Sequence, residues 1–373
     1  MTLQSKNRNF KSWTRLSFAV FLVLIGSCSS ITGPKNVDYN ASKVHHTPDG
    51  FKNRYVDRAD GGGFLKWQWE RFSQGLPKPP EAPILGMAPD LKYIQSKHPD
   101  VAVTWVGHAT VLLQVDGLNV LTDPHWGNRS SPVSFVGPKR HQAPGIAFES
   151  LPPIDAVVIS HNHFDHLDLG TVRRLMAQAS GPPKFFVPLG VHHWFKHNVP
   201  GSVLEGKDQN VWGMDWGDEV KLPGRTQDAV FKFLAIQHWS ARGLWDRSET
   251  LWGSWAILHP KFRFWFSGDL GYSKDTVDIG ELLGSIDLAV VAIGAYEPRW
   301  FMKASHVNPS EAVQIMKDVK ASQAMAMHWG TFEDLTDESL DQPPKDLKLA
   351  LKSADVEEAT FRVLKHGETW RLK

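Results

Sequence analysis

The sequence predicts a layered α/β sandwich with a polar site built along its strand ends. Three observations carry that expectation. Apolar runs of strand length come in a pair and a return over 101–122, joined by turn signals. Later apolar runs alternate with segments of helical period, the order that lays helices over sheets. Several of the runs end in a His or an Asp. A chain of 373 residues, 42% hydrophobic and 22% charged, can bury the core such a fold needs.

In chain order, residues 29–63 are polar and turn-rich, ending in Gly61-Gly62-Gly63, and read as a tether or an arm laid over the domain. Phe64 to Phe72 reads as a short helix with Leu65, Trp69 and Phe72 on one face. Gly75 to Pro83 is a Pro-rich connector. Val101–Trp105 and Val111–Val115 read as strands joined at Gly107-His108. Asp116-Gly117 is a hairpin turn, and Leu118–Thr122 the return strand. Ala156–Ser160, Lys184–Val187, Val230–Ile236, Ser254–Leu258, Phe262–Phe266, Leu288–Ile293 and Ala324–Met327 are further strands. Thr171–Ala179 reads as a helix, as does Glu311–Val319 behind the cap Asn308 with Pro309 at the first helical position. The 16 Trp are expected mostly in the core.

The first 27 residues hold Lys6, Arg8, Lys11 and Arg15 and no acid, followed by the nearly unbroken apolar run Leu16–Ile25. That run is too short to span a bilayer and has the length of a signal-peptide core. Ile25-Gly26-Ser27-Cys28 resembles a bacterial lipobox, and Cys28 is the only cysteine. The expectation is a leader over 1–27, lipidation at Cys28, a tether and extension over 28–100, and a catalytic domain over 101–373. Ser29 resembles the sorting position of lipoproteins sent on to the outer membrane, so the predicted location is the bacterial cell envelope, outer membrane or periplasm. Without the leader the chain has 37 basic and 40 acidic residues, a net of −3, which argues against a nucleic-acid partner.

The segment His161-Asn162-His163-Phe164-Asp165-His166 follows an apolar strand directly. His161 and His163 alternate, so in extended geometry they share a face, and Asp165 and His166 can serve a second ion beside the first. His238, Asp269 and His328 each end a later apolar strand. A lipidated Cys28 leaves no thiolate, so the metal site must use nitrogen and oxygen donors; these suit zinc, with iron and manganese also open.

The His-x-His-x-Asp-His block resembles the metallo-β-lactamase superfamily. Several blocks resemble, within it, the N-acylphosphatidylethanolamine-hydrolysing phospholipase D family: Gly107-His108-Ala109-Thr110, Thr122-Asp123-Pro124, Leu251-Trp252-Gly253-Ser254-Trp255, Gly294 to Lys303, and His328-Trp329-Gly330-Thr331-Phe332. The resemblance runs from about residue 100 to the C-terminus and implies a four-layer αββα sandwich holding two zinc or other divalent ions. His161, His163 and His238 would bind the first, Asp165, His166 and His328 the second, and Asp269 would bridge them. It implies that water attacks the phosphorus of N-acylphosphatidylethanolamine, with Asp165 orienting the nucleophile and carrying its proton. The products are N-acylethanolamine and phosphatidate. His306 would face the phospholipid head group. Phe164 stands where members often carry Tyr, keeping the ring and losing the hydroxyl. Expected partners are the phospholipid substrate, the membrane surface through the anchor, and a homodimeric copy. The competing functions are a lactonase or general phosphodiesterase on the same scaffold, and a non-catalytic lipid-binding lipoprotein that keeps the metals as a staple.

Overall fold

The computed structural model describes residues 36–56, 63–80, 84, 86–96, 98 and 100–372. The leader expected over 1–27 and the lipidation site Cys28 lie outside these residues. The described chain opens with a short ribbon, β1 (His46–Thr47) and β2 (Gly50–Phe51), then α1 (Phe64–Gln74) and α2 (Leu91–Ile94). The first half of the sandwich contains β3 (Val101–Gly107), β4 (Thr110–Val115), β5 (Leu118–Thr122), β6 (Ala156–Val158), α3 (Leu169–Met176), β7 (Lys184–Pro188), α4 (Val191–Asn198) and β8 (Val211–Met214). The second contains β9 (Glu219–Pro223), β10 (Asp228–Leu234), β11 (Ser254–His259), β12 (Phe262–Phe266), α5 (Asp275–Leu283), β13 (Ile286–Ala292), α6 (Arg299–Met302), α7 (Pro309–Asp318), β14 (Ala321–Met327), α8 (Gln342–Ser353) and β15 (Phe361–Arg362). The last strand, β16 (Thr369–Leu372), returns to the first half.

Each half is a seven-stranded mixed sheet, ordered β16-β3-β4-β5-β6-β7-β8 and β15-β14-β13-β12-β11-β10-β9. Pairing is antiparallel from β16 to β5 and from β9 to β12, and parallel beyond. Side chains that alternate along a strand point to opposite faces, and here the two faces bury different partners. Ala156 and Val158 of β6, with Phe186 of β7, join a core shared with Trp255, Phe264 and Val290 of the second sheet. Val157 and Phe185, one register away, pack with Val172 of α3 and Phe195 of α4. Ile279 of α5, Val313 of α7 and Leu347 of α8 cover the other sheet. The order is helices, sheet, sheet, helices, the four-layer αββα sandwich.

Two hydrogen bonds between the halves fix the start of the histidine loop. Trp255 Nε1 donates to the carbonyl of Ile159 at 2.8 Å, and the amide of Gly253 donates to that of Ser160 at 2.9 Å. A buried indole N–H needs such a partner.

The segment 36–56 lies on the domain as an arm, with Phe51 in the main core, and Ile94 of α2 joins the core under α3. The α1 face foreseen from spacing, Leu65, Trp69 and Phe72, is exposed, and Trp67 is the buried side chain. Trp67, Trp105, Trp252, Trp255, Trp265 and Trp370 are buried, while Trp69, Trp245 and Trp300 are exposed. Helices α4, α5 and α8 were not expected. The α4 sequence Val-His-His-Trp-Phe-Lys-His-Asn is built largely of weak helix formers, and α8 opens on Pro343 and Pro344, which suit a first turn.

Candidate metal centre

The donors stand at strand ends because neighbouring strands stop at one edge of the sandwich. The loop after β6 carries His161, His163, Asp165 and His166; His238 follows β10, Asp269 follows β12, and His328 follows β14 directly. Gly268 (φ 58°) turns the chain into Asp269 where an added Cβ would lie 2.7 Å from the Ser160 Cβ, so Ser160 and Asp269 can approach closely. His108 (φ 52°), Asp123 (φ 32°) and His328 (φ 64°) hold left-handed backbone around the cluster. Such conformations cost about 1–3 kcal/mol each and persist only where the surroundings enforce them.

The structure brings all seven predicted ligands together. His161 Nε2 lies 2.8 Å from His163 Nδ1, and His238 Nε2 lies 3.4 Å from the same nitrogen. Asp165 Oδ2 lies 3.4 Å from His166 Nε2 and 3.3 Å from His328 Nε2. Asp269 Oδ2 stands between the groups, 3.0 Å from His166 Nε2, 3.1 Å from His328 Nε2 and 4.0 Å from His161 Nε2. Yet His166 Nε2, His328 Nε2 and Asp269 Oδ1 are buried without a hydrogen-bond partner. Buried polar atoms are ordinarily paired, so nitrogens and oxygens that converge without pairing fit a shared cation.

Electrostatics agree with that fit. Burial, the largest influence, holds His161 and His238 well below the ordinary imidazole value and His163 down to about 3, so their lone pairs are free at neutral pH. Burial also acts on His166 and His328, but Asp269 above all overcomes it, raising His166 well above its ordinary value and His328 to about 9. Asp165 and Asp269, despite burial, stay well below the carboxylate range because His166 faces both. Two buried carboxylates thus draw positive charge into the pocket.

A second ring of contacts aims the donors. His166 Nδ1 donates to Asp123 Oδ2 at 2.6 Å, and Ser160 Oγ donates to the same oxygen at 2.5 Å while lying 2.9 Å from His161 Nδ1. His238 Nδ1 donates to the Ser305 carbonyl at 3.0 Å, and His108 Nε2 meets Asp165 Oδ2 at 2.9 Å. Arg242 Nη1 donates to the carbonyls of Asn162 and Leu167 at 2.8 and 2.9 Å, clasping the histidine loop from both ends. The roles of Asp123 and His108 were missed, although each lies in a motif noted above and Asp123 ends an apolar strand. Arg242 has no local signal of its role.

One face of the cluster opens on a cavity of about 490 Å³. His163, Asp165, Asp269, His306 and His328 line its polar end, and Phe64, Trp67, Phe164, Leu244, Phe301 and Met302 are among its apolar walls. His306 Nδ1 is unpaired, 3.9 Å from Asp269 Oδ2, and burial lowers its pKa to about 4. Phe164 takes the Arg242 guanidinium over its ring at 4.0 Å. Arg299, close by in the chain, is committed to Glu311 at 2.8 Å and to the His306 carbonyl at 2.8 Å.

Comparison with known proteins agrees with this geometry. Residues 118–329 match the β-lactamase superfamily domain. Over 269 residues the chain is 40% identical to the N-acyl-phosphatidylethanolamine-hydrolyzing phospholipase D 1 of Caenorhabditis elegans, covering 72% of this chain and 74% of that protein. It is 32% identical over 249 residues to the mitochondrial N-acyl-phosphatidylethanolamine-hydrolyzing phospholipase D of Saccharomyces cerevisiae, covering 66% of this chain and 51% of that one. A metallo hydrolase from the archaeon Ignicoccus hospitalis shares the fold, with a TM-score of 0.52 at 22% identity over 73% of this chain and 98% of that one.

Proposed function

This chain belongs to the β-lactamase superfamily, in its family of N-acyl-phosphatidylethanolamine-hydrolysing phospholipases D, and we propose that this metal-dependent hydrolase cleaves the phosphodiester of an N-acylated phosphatidylethanolamine. Water supplies an oxygen to phosphorus, the bond from phosphorus to the N-acylethanolamine oxygen breaks, and phosphatidate is the other product. The observation that carries the reading is the junction of a seven-donor cluster with a cavity of about 490 Å³ whose walls are largely apolar.

His161, His163 and His238 would hold one divalent ion, Asp165, His166 and His328 a second, and Asp269 both. Zinc is the ion the donors suit best. Such ions supply Lewis-acid charge and a water ionisable near neutral pH. The chain's own groups do the rest. Asp165, ionised and steadied by His108 Nε2, lines the cavity and can accept the proton of an attacking water. His306, held neutral by burial, faces the same space and can receive the head group. Phe164, Phe301 and Met302 exclude bulk water and receive acyl chains.

Exposed apolar side chains lie on the same elements as the cavity walls: Leu65 (83% exposed), Trp69 and Phe72 on α1 with Phe64 and Trp67, and Trp245 (87%) next to Leu244. We read them as a rim that rests on a lipid surface, where an acyl chain on Cys28 would hold it in the cell envelope. No helix among the described residues is long and apolar enough to cross a membrane.

The deciding experiment is metal analysis coupled to turnover of N-acylphosphatidylethanolamine, a lactone and a cyclic phosphodiester, for the wild type and Asp269→Asn. Two ions per chain with preference for the lipid are expected. Full activity in the Asp269→Asn protein removes the bridging role. Preference for the lactone or cyclic ester assigns another hydrolase, and bound metal without turnover leaves a lipid-binding protein.

A further inference from the structure

The arm 36–56 precedes the sandwich, yet it reaches the metal cluster. Asn53 Oδ1 accepts the His238 amide at 3.0 Å, and Asn53 Nδ2 donates to the His238 carbonyl at 3.0 Å. The same Oδ1 accepts Trp252 Nε1 at 3.2 Å, so the network fixes which way the carboxamide points. This is a strand-like pairing of one side chain with one backbone residue. It restrains the His238 backbone at both its amide and its carbonyl, while the Ser305 carbonyl sets the ring. The residues beside Asn53 are also seated. Phe51 is buried, its amide donates to the Ser248 carbonyl at 2.8 Å, and Gly50 (φ 153°) passes where an added Cβ would lie 2.0 Å from that oxygen.

The arm is tied down at its other end. Asp215 accepts His45 Nε2 at 2.6 Å and His46 Nε2 at 3.1 Å. Asp38 accepts the Gly190 amide at 2.9 Å and meets His193 Nε2 at 3.2 Å. So Asn53 is braced against the domain and can transmit a fixed position.

We propose that Asn53 is a positioning residue for the metal centre: through the backbone of His238 it sets the third donor of the first ion, making the N-terminal arm part of the site. The inference rests on the reading of His238 as a ligand. Outer contacts of this kind change metal affinity about ten- to hundredfold when removed.

The test compares full-length wild type, Asn53→Ala, Asn53→Asp and Asn36→Ala. Asn36 Nδ2 donates to the Thr47 and Gly50 carbonyls at 3.2 and 2.9 Å, so its loss loosens the arm without touching His238. The readouts are zinc affinity by chelator competition, metal content, the visible spectrum of the cobalt-loaded protein, and thermal unfolding. Expected for Asn53→Ala is one ion weakened about ten- to hundredfold, the other unchanged, and an altered cobalt spectrum. Asn36→Ala should lower the melting temperature and leave both affinities within twofold. Asn53→Asp keeps the acceptor for the His238 amide but sets a carboxylate oxygen against the His238 carbonyl, so it should weaken the same ion at least as much as alanine, and it serves if the alanine protein does not fold. Unchanged affinity in both Asn53 variants, or equal weakening by Asn36→Ala, overturns the proposal. A wild type that holds no metal overturns the ligand reading first.

Discussion

Replacing Trp67 by alanine should open the cavity without unfolding the protein. Trp67 is the buried side chain of α1, and it belongs to neither core cluster of the sandwich. Its ring stacks on Phe301 at 4.7 Å and 22°, its Nε1 donates to Asp337 Oδ2 at 2.9 Å, and the Arg71 guanidinium lies over it at 4.6 Å. Truncating a Trp in such a setting costs about 3–5 kcal/mol, here taken from helix docking rather than from global stability. The remaining ties include the Arg71–Asp337 pair at 3.3 Å, the Arg71 Nη2 hydrogen bond to the Asp334 carbonyl at 2.5 Å and Lys66 over the Trp300 ring at 4.2 Å, contacts near the surface that contribute about 1 kcal/mol or less each. An 11-residue helix is marginal alone, so an undocked α1 melts. The docked fraction should therefore fall by roughly two to three and a half powers of ten relative to the undocked. Hydrogen exchange in α1 should rise accordingly, and the melting temperature of the sandwich should stay within a few degrees. Turnover of long-chain N-acylphosphatidylethanolamine should drop well beyond that of a small soluble phosphodiester. Unaltered exchange in α1, or equal loss with both substrates, would refute the claim that this helix walls a lipid cavity.

Other perturbations separate the remaining parts. Arg242→Met keeps an apolar stem over Phe164 but leaves the Asn162 and Leu167 carbonyls unpaired; chelator competition should show metal bound about ten- to hundredfold more weakly, and unchanged affinity would make the clasp redundant. Trp245→Ala should weaken sedimentation with phospholipid vesicles about tenfold, since burying one large apolar side chain contributes about 1.5–3 kcal/mol; an unchanged bound fraction would remove Trp245 from the rim. Asp215 is held at about 2: burial opposes ionisation, but hydrogen bonds from His45, the Trp216 amide and His46 outweigh it. Its folded pKa lies below the unfolded value near 3.9, so its stabilisation, at most about 2 kcal/mol, is complete above about pH 4 and is lost as pH falls toward 2. Denaturant melts of Asp215→Asn should show a flatter acid limb across that window, and a limb as steep as wild type would place the acid sensitivity elsewhere.

The parts of the site that were legible in the sequence share one property: each is local. A strand announces itself by alternation, its end by a polar residue, and His161 to His166 lie within one loop, so period and position were enough. His238, Asp269 and His328 could be found because each closes an apolar run. Asn53 and Arg242 could not, because their partners are backbone groups of residues 185 and 80 positions away. Neither residue type nor spacing marks a side chain that binds a distant carbonyl. The α1 face failed for a related reason. Periodicity shows that Leu65, Trp69 and Phe72 share a side, not whether that side meets protein or solvent. What decides it is Phe301, far along the chain, which gives Trp67 a surface to stack on.

These long-range contacts explain how one scaffold is specialised. The sandwich core brings strand ends together and accounts for the donors, and the fold alone is what it shares with the Ignicoccus hydrolase at 22% identity. Nothing in the strand ends chooses a substrate. The pieces that shape the cavity lie largely outside the sheets: α1 supplies Phe64 and Trp67, the loop before β11 supplies Leu244 and Arg247, and α6 supplies Phe301 and Met302. The arm, which reaches Ser248 and His238 together, ties one of these walls to the metal centre. A shift of the loop around Ser248 is thereby coupled to the arm that holds His238 in place. Changes that retune the substrate preference of this protein should therefore concentrate in α1, the 240–250 loop and α6, and within the arm those that alter metal affinity should fall at Asn53.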